Sequence, residues 1–192
     1  MSSDDEEQYS EDLVGQKVNE KYLILKFLGR GAFCKVWLVL DITTNNYYAL
    51  KIQEEKYNDD LLEEIKIIRH LQKGVNLDKD VLNYGLMIDN FSIKLHGKVY
   101  QTILFELLGQ SIGYLSYKEN DSIINTNIIR NVIKDILQGL DSIHQKNIIH
   151  TDLKPDNILF KECNRNIKNF IRQIDNLEIN KYYLELFESS LP

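Results

Sequence analysis

Seven apolar residues in the second half of the chain, Ile129, Val132, Ile133, Ile136, Leu137, Leu140 and Ile143, recur every three or four positions. That spacing places them on one side of an α-helix, whose stripe then needs a surface to pack against. The first 105 residues read differently. Segments 22–28 and 36–40 are rich in β-formers and are joined by Gly29-Arg30-Gly31-Ala32, a hairpin signal. A third strand is predicted over 47–52, after the turn residues Thr44-Asn45-Asn46, and two more near 87–94 and 100–105, joined through His96-Gly97-Lys98. Among these strands, Leu61, Ile65, Ile68 and Leu71 keep helical spacing, with Asn58 or Asp59 available as N-cap and Gly74 just past the end. The pattern turns helical after Gly109. Five strands with one main helix, followed by helices, predict an α+β fold in which a small sheet lobe precedes a helical one.

Composition narrows the function classes. At 192 residues with 43% hydrophobic content the chain is long enough for a sizeable core. Six acids, Asp4, Asp5, Glu6, Glu7, Glu11 and Asp12, precede the first basic residue, Lys17; the remaining 23 acidic residues balance 23 basic ones. The body is therefore near neutral, which argues against a nucleic-acid surface, and residues 1–13 read as an acidic disordered tail. Cys34 and Cys163 form neither a metal-ligand spacing nor a disulfide framework. With no secretory or membrane-length apolar run, a soluble protein of cytoplasm or nucleus is expected, without a membrane partner.

The long helix leads directly into His150-Thr151-Asp152-Leu153-Lys154-Pro155-Asp156-Asn157. A carboxylate that accepts a hydroxyl proton, a lysine that neutralises a moving phosphate and an amide oxygen that holds a divalent cation are the parts of a phosphoryl-transfer loop. A polar turn closed by Pro155 would explain the residue types but not their spacing. Asp152 is the expected base, Lys154 the charge stabiliser and Asn157 the magnesium ligand. His150 is expected to pack and hydrogen-bond so as to shape the loop, and His70, His96 and His144 to fill surface or core roles.

Other stretches gain meaning from that loop. Gly29 and Gly31 let the backbone approach phosphates, and Val36 begins the return strand where a glycine-rich phosphate loop ends; an ordinary hairpin turn would account for the glycines alone. Lys51, in Tyr48-Ala49-Leu50-Lys51, is flanked by apolar residues and needs a partner if buried. Glu64 is the expected carboxylate, with Glu63 as competitor, and Lys51 would then reach the α- and β-phosphates of ATP. Phe105-Glu106-Leu107-Leu108-Gly109 ends the fifth strand. There the main chain of Glu106 and Leu108 would meet an adenine edge, with Phe105 limiting access behind it, unless the segment is only a strand end with a packed aromatic.

Together these residues resemble the eukaryotic protein kinases, and within them the SR-protein kinases. The resemblance rests on His-Thr-Asp at 150–152, on Phe33-Cys34-Lys35-Val36-Trp37-Leu38 and Leu62-Glu63-Glu64-Ile65-Lys66, on Asp89-Asn90-Phe91 and Phe105 to Gly109, and on Gln138-Gly139-Leu140-Asp141. It spans about residues 14–160 and implies a kinase sheet lobe over 14–108, with Ala49 among the nucleotide-contacting positions. It also implies the start of a helical lobe over 109–160, and a spacer or truncated end over 161–192. Implied with it are serine/threonine kinase activity, ATP and Mg2+, and Arg-Ser-rich protein substrates. Thr151 stands where the wider family commonly has an arginine that docks a phosphorylated activation loop, so activity independent of that phosphorylation is implied. Two features depart from the family. Cys34 replaces the third loop glycine. For the magnesium-binding aspartate triplet, only Asp175-Asn176-Leu177 offers itself, without the glycine and farther along than usual. A silent nucleotide-binding or interaction fragment is the competing expectation.

Overall fold

A computed structural model describes residues 13–75, 83–114, 126–163 and 165–176. The acidic tail falls outside these residues except for Leu13, which is buried in the core instead of belonging to a tail. In chain order the elements are β1 (Lys17–Val18), β2 (Tyr22–Arg30), β3 (Cys34–Asp41), β4 (Asn46–Gln53), α1 (Asn58–Gln72), β5 (Met87–Leu95), β6 (Lys98–Glu106), α2 (Thr126–His144) and α3 (Arg165–Asn176). Single 3-10 turns at Glu55–Tyr57 and Pro155–Asn157 precede α1 and close the 150–157 loop. The strands form one antiparallel sheet in the order β1-β2-β3-β4-β6-β5.

The sheet has six strands where five were expected. β1 is only two residues long, pairing Lys17 with Leu23 and Val18 with Tyr22, and two residues carry no alternation that a sequence could display. Elsewhere the turn residues act as read. His96 and Gly97 both take positive φ, which gives the β5–β6 hairpin the twist of a two-residue turn.

Alternation along the strands divides the sheet into two faces. Trp37, Val39, Leu50, Ile52 and Leu104 point to one side, where they form the main core with Tyr22 and Ile24. Tyr22 stacks there on Phe91 with ring centroids 5.4 Å apart. Each such side chain contributes roughly 1.5–3 kcal/mol through burial, so this layer supplies most of the sheet's stability. On the opposite face the cross-strand pairs Val36–Lys51, Leu38–Ala49, Ala49–Phe105 and Lys51–Ile103 line up. α1 packs on this second face through Leu61 and Ile65 against Ile103, with Met87 and Phe105 beside them.

The start of α1 differs from expectation. Tyr57 is the N-cap, and its side chain makes no capping bond. Asn58 is already helical, and its amide is used to anchor the helix to β6: Nδ2 donates to the Val99 carbonyl at 2.9 Å and Oδ1 accepts from the Gln101 N–H at 2.9 Å. A pattern of caps is local in sequence, whereas this contact spans about 40 residues and leaves no local trace.

α2 forms where its stripe placed it, but only Gly139 and Ile143 are buried; Ile129, Ile133 and Leu137 are exposed. α3 was not anticipated, because 161–192 read as spacer. Its signal was nonetheless present: Ile167, Phe170, Ile171 and Ile174 repeat at helical spacing and are all half-buried. Two contacts fix α3 on the second face. Tyr47 of β4 donates to Asp175 at 2.6 Å, and the Lys26 ammonium of β2 lies 4.9 Å from the Phe170 ring centroid. No helix among the described residues is long and apolar enough to cross a membrane.

If Asn58 anchors α1 to β6, Asn58→Ala should lower unfolding free energy by roughly 1–2 kcal/mol. The measurement is a shift of the urea midpoint at unchanged slope.

Candidate active site

The second face of the sheet, which α1 and α3 contact, carries Val36, Ala49 and Lys51, and the β2–β3 turn joins the strand that bears Val36. In that turn Gly31 donates its N–H to the Cys34 carbonyl at 2.9 Å. Gly29 pairs with Val36, and a Cβ built on Gly29 would meet nothing within 4 Å, so open space lies beside its backbone. This is the arrangement a phosphate cradle requires. Cys34, in the third-glycine position, begins β3 opposite Gln53, and its Sγ would sit 2.9 Å from a Cβ at Gly31. The turn's tip is steadied from outside. The exposed Phe33 ring packs on Tyr57 at 4.1 Å, and Glu54 donates its N–H to the Phe33 carbonyl at 3.0 Å.

Lys51 is four-fifths covered, and both oxygens of Glu64 accept from its ammonium, at 2.9 and 2.6 Å. Desolvation makes a lone ammonium there costly, so the pair is required once β4 places Lys51 on the α1 side. Glu63 turns to solvent and pairs with Lys66 at 2.6 Å, an exposed contact of small energetic value. The position of Glu64 at the border of the apolar face thus decides between the two glutamates.

The end of β6 connects the sheet to the loop. Phe105 packs beside the Leu61 and Ile65 cluster, so the packed-aromatic reading also holds. Glu106 donates its N–H to the Leu86 carbonyl, and its carboxylate accepts from the Leu86 N–H, both at 3.0 Å. The Glu106 N–H is therefore already engaged and is not offered to an adenine edge. Beyond it, residues 107–112 run antiparallel to 158–163: Gly109 donates to the Phe160 carbonyl at 2.6 Å, Phe160 to Gln110 at 3.0 Å and Ile112 to Ile158 at 2.9 Å. Approach is so close that a Cβ on Gly109 would fall 2.1 Å from the Glu162 carbonyl oxygen, which excludes any side chain there. The Cys163 thiol lies 3.6 and 3.7 Å from the carbonyls of Leu107 and Leu108. Burial pushes that thiol's pKa up, with Lys168 opposing.

The 150–157 loop is shaped by backbone strain. Thr151 has φ of 62°, and Asp152 donates its N–H to the His150 carbonyl at 2.8 Å. This three-residue turn with positive central φ is rare and strained, the more so for a β-branched residue. It projects Asp152, whose carboxylate accepts from Lys154 at 3.0 Å and from the Asn157 amide at 2.8 Å; the same amide nitrogen also donates to the Asp152 carbonyl at 2.8 Å. The Lys154 ammonium, and then the Asn157 amide, hold the Asp152 carboxyl below the ordinary carboxylate range, so it is ionised at neutral pH. With its nitrogen turned to Asp152, Asn157 directs its amide oxygen elsewhere, where a hard cation would find an oxygen ligand. His150 departs from expectation: its side chain is exposed, and it shapes the loop through its carbonyl.

The fit to a divalent cation is partial. Among the described residues no three His, Cys, Asp or Glu side chains cluster as ligands, and Asp175 lies on α3, engaged by Tyr47. Burial, and then that bond, raise the Tyr47 pKa well above its ordinary value, so Tyr47 stays protonated as the donor.

Comparison with known proteins gives the family. Residues 22–175 match the protein kinase domain family, and the chain belongs to it. The likeness to SR-protein kinases is also found. The chain is 31% identical to human SRSF protein kinase 3 over 172 residues, covering 83% of this chain and 30% of that protein, and the mouse counterpart matches equally. It is 34% identical over 147 residues to dual specificity tyrosine-phosphorylation-regulated kinase 3 of Macaca fascicularis, covering 76% of this chain and 25% of that protein. Among solved structures, the crystal structure of a kinase domain superposes with a TM-score of 0.69 at 26% identity, covering 77% of this chain and 42% of that one. The chain spans less than a third of the length of these curated relatives.

Replacing Lys154 by Met should raise the Asp152 carboxyl pKa toward the ordinary value of about 3.9. An NMR titration of the side-chain carboxyl carbon would show the upward move, and Lys154→Arg should largely prevent it.

Proposed function

We propose that this protein is a serine/threonine kinase that transfers the γ-phosphoryl group of ATP to serine hydroxyls in Arg-Ser-rich protein segments. The Lys51–Glu64 pair carries the reading. It fixes an ammonium on the sheet face beneath the open backbone at Gly29, where α- and β-phosphates would lie against Val36 and Ala49. Gly29 and Gly31, having no side chains, would let the phosphates come close to the β2–β3 backbone, and the Glu106 carbonyl with the Leu108 main chain would meet the adenine edge. Asp152, ionised and exposed, would orient the attacking hydroxyl and accept its proton. Lys154 would neutralise charge on the transferring group. Its present contact with Asp152 then becomes a bridge between base and phosphoryl. Magnesium would be held in part by the Asn157 amide oxygen and, when bound, supplies neutralisation of the phosphate oxygens. Arg-Ser specificity rests on the likeness to SRSF protein kinase 3 together with Thr151.

A second reading, nucleotide binding without turnover, is favoured by Asp175: this aspartate, in a triplet-like sequence, lies on α3 and accepts a hydrogen bond from Tyr47 of β4. A single assay separates the two. Purified protein incubated with ATP, Mg2+ and an Arg-Ser peptide should phosphorylate the peptide, and Asp152→Ala should reduce the rate by roughly 10²–10⁴-fold. Magnesium-dependent ATP binding without phosphorylation would establish the silent module instead. Because Thr151 offers no docking charge to a phosphorylated segment, phosphatase pretreatment should leave the rate unchanged; loss of activity would refute that independence.

A further inference from the structure

The C-terminal end of α1 is held by a residue outside the site. Lys146 donates from Nζ to the Leu71 carbonyl and to the Lys73 carbonyl, the latter at 3.1 Å. The Tyr84 hydroxyl donates to the same Leu71 oxygen at 3.1 Å. Leu71 is in the last turn of α1 and Lys73 is its C-cap residue, at the helix end where carbonyls lack intrahelical partners and the dipole is negative, so an ammonium is the matching group. Lys146 reaches them because α2 ends in a tight cap. Asn147 takes φ of 58°, Ile148 donates to the Ile143 carbonyl at 3.1 Å and Asn147 to His144 at 2.9 Å. Behind it Gly139 of α2 touches the backbone at Asn83, where a Cβ would approach the carbonyl oxygen to 2.8 Å.

We infer that Lys146 is a positioning residue: by fixing the C-terminal end of α1 on the end of α2, it keeps Glu64 within reach of Lys51 and ties that pair to the segment leading into Asp152. α1 is one continuous helix over Asn58–Gln72, with Glu64 near its middle. Asn58 anchors its start to β6, and Lys146 anchors its end to the helix from which the 150–157 loop departs. Without the second anchor α1 can swing about the first, and Glu64, midway along, moves with it. Lys146 touches no substrate and acts only through α1. The inference rests on the proposed role of Lys51 in binding phosphates.

The test uses the intact protein with Lys146→Met, Lys146→Arg and Tyr84→Phe. Amide hydrogen exchange along α1 and the Kd for ATP with Mg2+ are measured on each, beside Tm. Lys146→Met should speed exchange over the second half of α1 and weaken ATP binding by about tenfold, as expected for losing one charged hydrogen-bonding group. Lys146→Arg should restore both, and Tyr84→Phe should shift both in the same direction by less. A lower Tm with unchanged ATP affinity and unchanged α1 exchange would overturn the inference, because that is the signature of packing alone. Failure of arginine to rescue would overturn it too. Should Lys146→Met not fold, Lys146→Gln carries the same readouts, with wild-type-like values again overturning the inference. If the wild-type protein binds no ATP, the proposed function fails; the exchange measurement then decides alone, and unaltered α1 exchange in the variants refutes the positioning role.

Discussion

An ammonium on a largely covered sheet face has to meet a carboxylate, and much of this molecule is arranged around satisfying Lys51. Strand alternation sends Leu50 and Ile52 into the main core, which obliges Lys51 to face the other way. There it is covered by α1, and the covering helix must carry the counter-charge at one position on its apolar border. Glu64 meets that condition. The same face then keeps room for a ligand, because neighbouring Ala49 is small and Gly29 leaves its flank open. An apolar residue in place of Lys51 would pack there at lower desolvation cost.

What the sequence disclosed, and what it concealed, follows from the range of each interaction. Strands β2 to β6, α1 and α2 were legible because alternation and helical periodicity are repeated signals within one segment. The choice of Glu64 over Glu63 was legible for the same reason, since it depends on the phase of one helix. The Asn58 bridge to β6 and the Lys146 contact with α1 were not legible. Each is a single polar side chain meeting main-chain groups some 40 or 75 residues away, and main-chain partners have no sequence identity to read. α3 is a different case: its period was present, but a polar, Asn-rich setting hid it. The catalytic-loop letters gave the residue types of a site, while the bonds between Asp152, Lys154 and Asn157, and the turn that presents them, appear only in three dimensions.

The two parts of the described chain differ in how they hold together. The sheet is a continuous ladder of cross-strand pairs over a buried layer with Trp37, Leu50 and Leu104 fully covered. α2 keeps much of its stripe in water, with Leu137 59% exposed, and is secured at its end by polar contacts to the α1 terminus. Opening free energies should therefore be uneven, higher in the sheet than in α2. The antiparallel run of 107–112 against 158–163 is the main-chain link between them, and it explains why no side chain is tolerated at position 109.

Thr151 gives this arrangement a selective meaning. A β-branched residue with φ of 62° stores strain on the order of 1–2 kcal/mol, an appreciable part of the 5–15 kcal/mol that stabilises an ordinary domain. Glycine would relieve that strain, so selection for stability alone would favour replacing Thr151. It would also free the turn that aims Asp152, so robustness and readiness for chemistry pull in opposite directions at this one position.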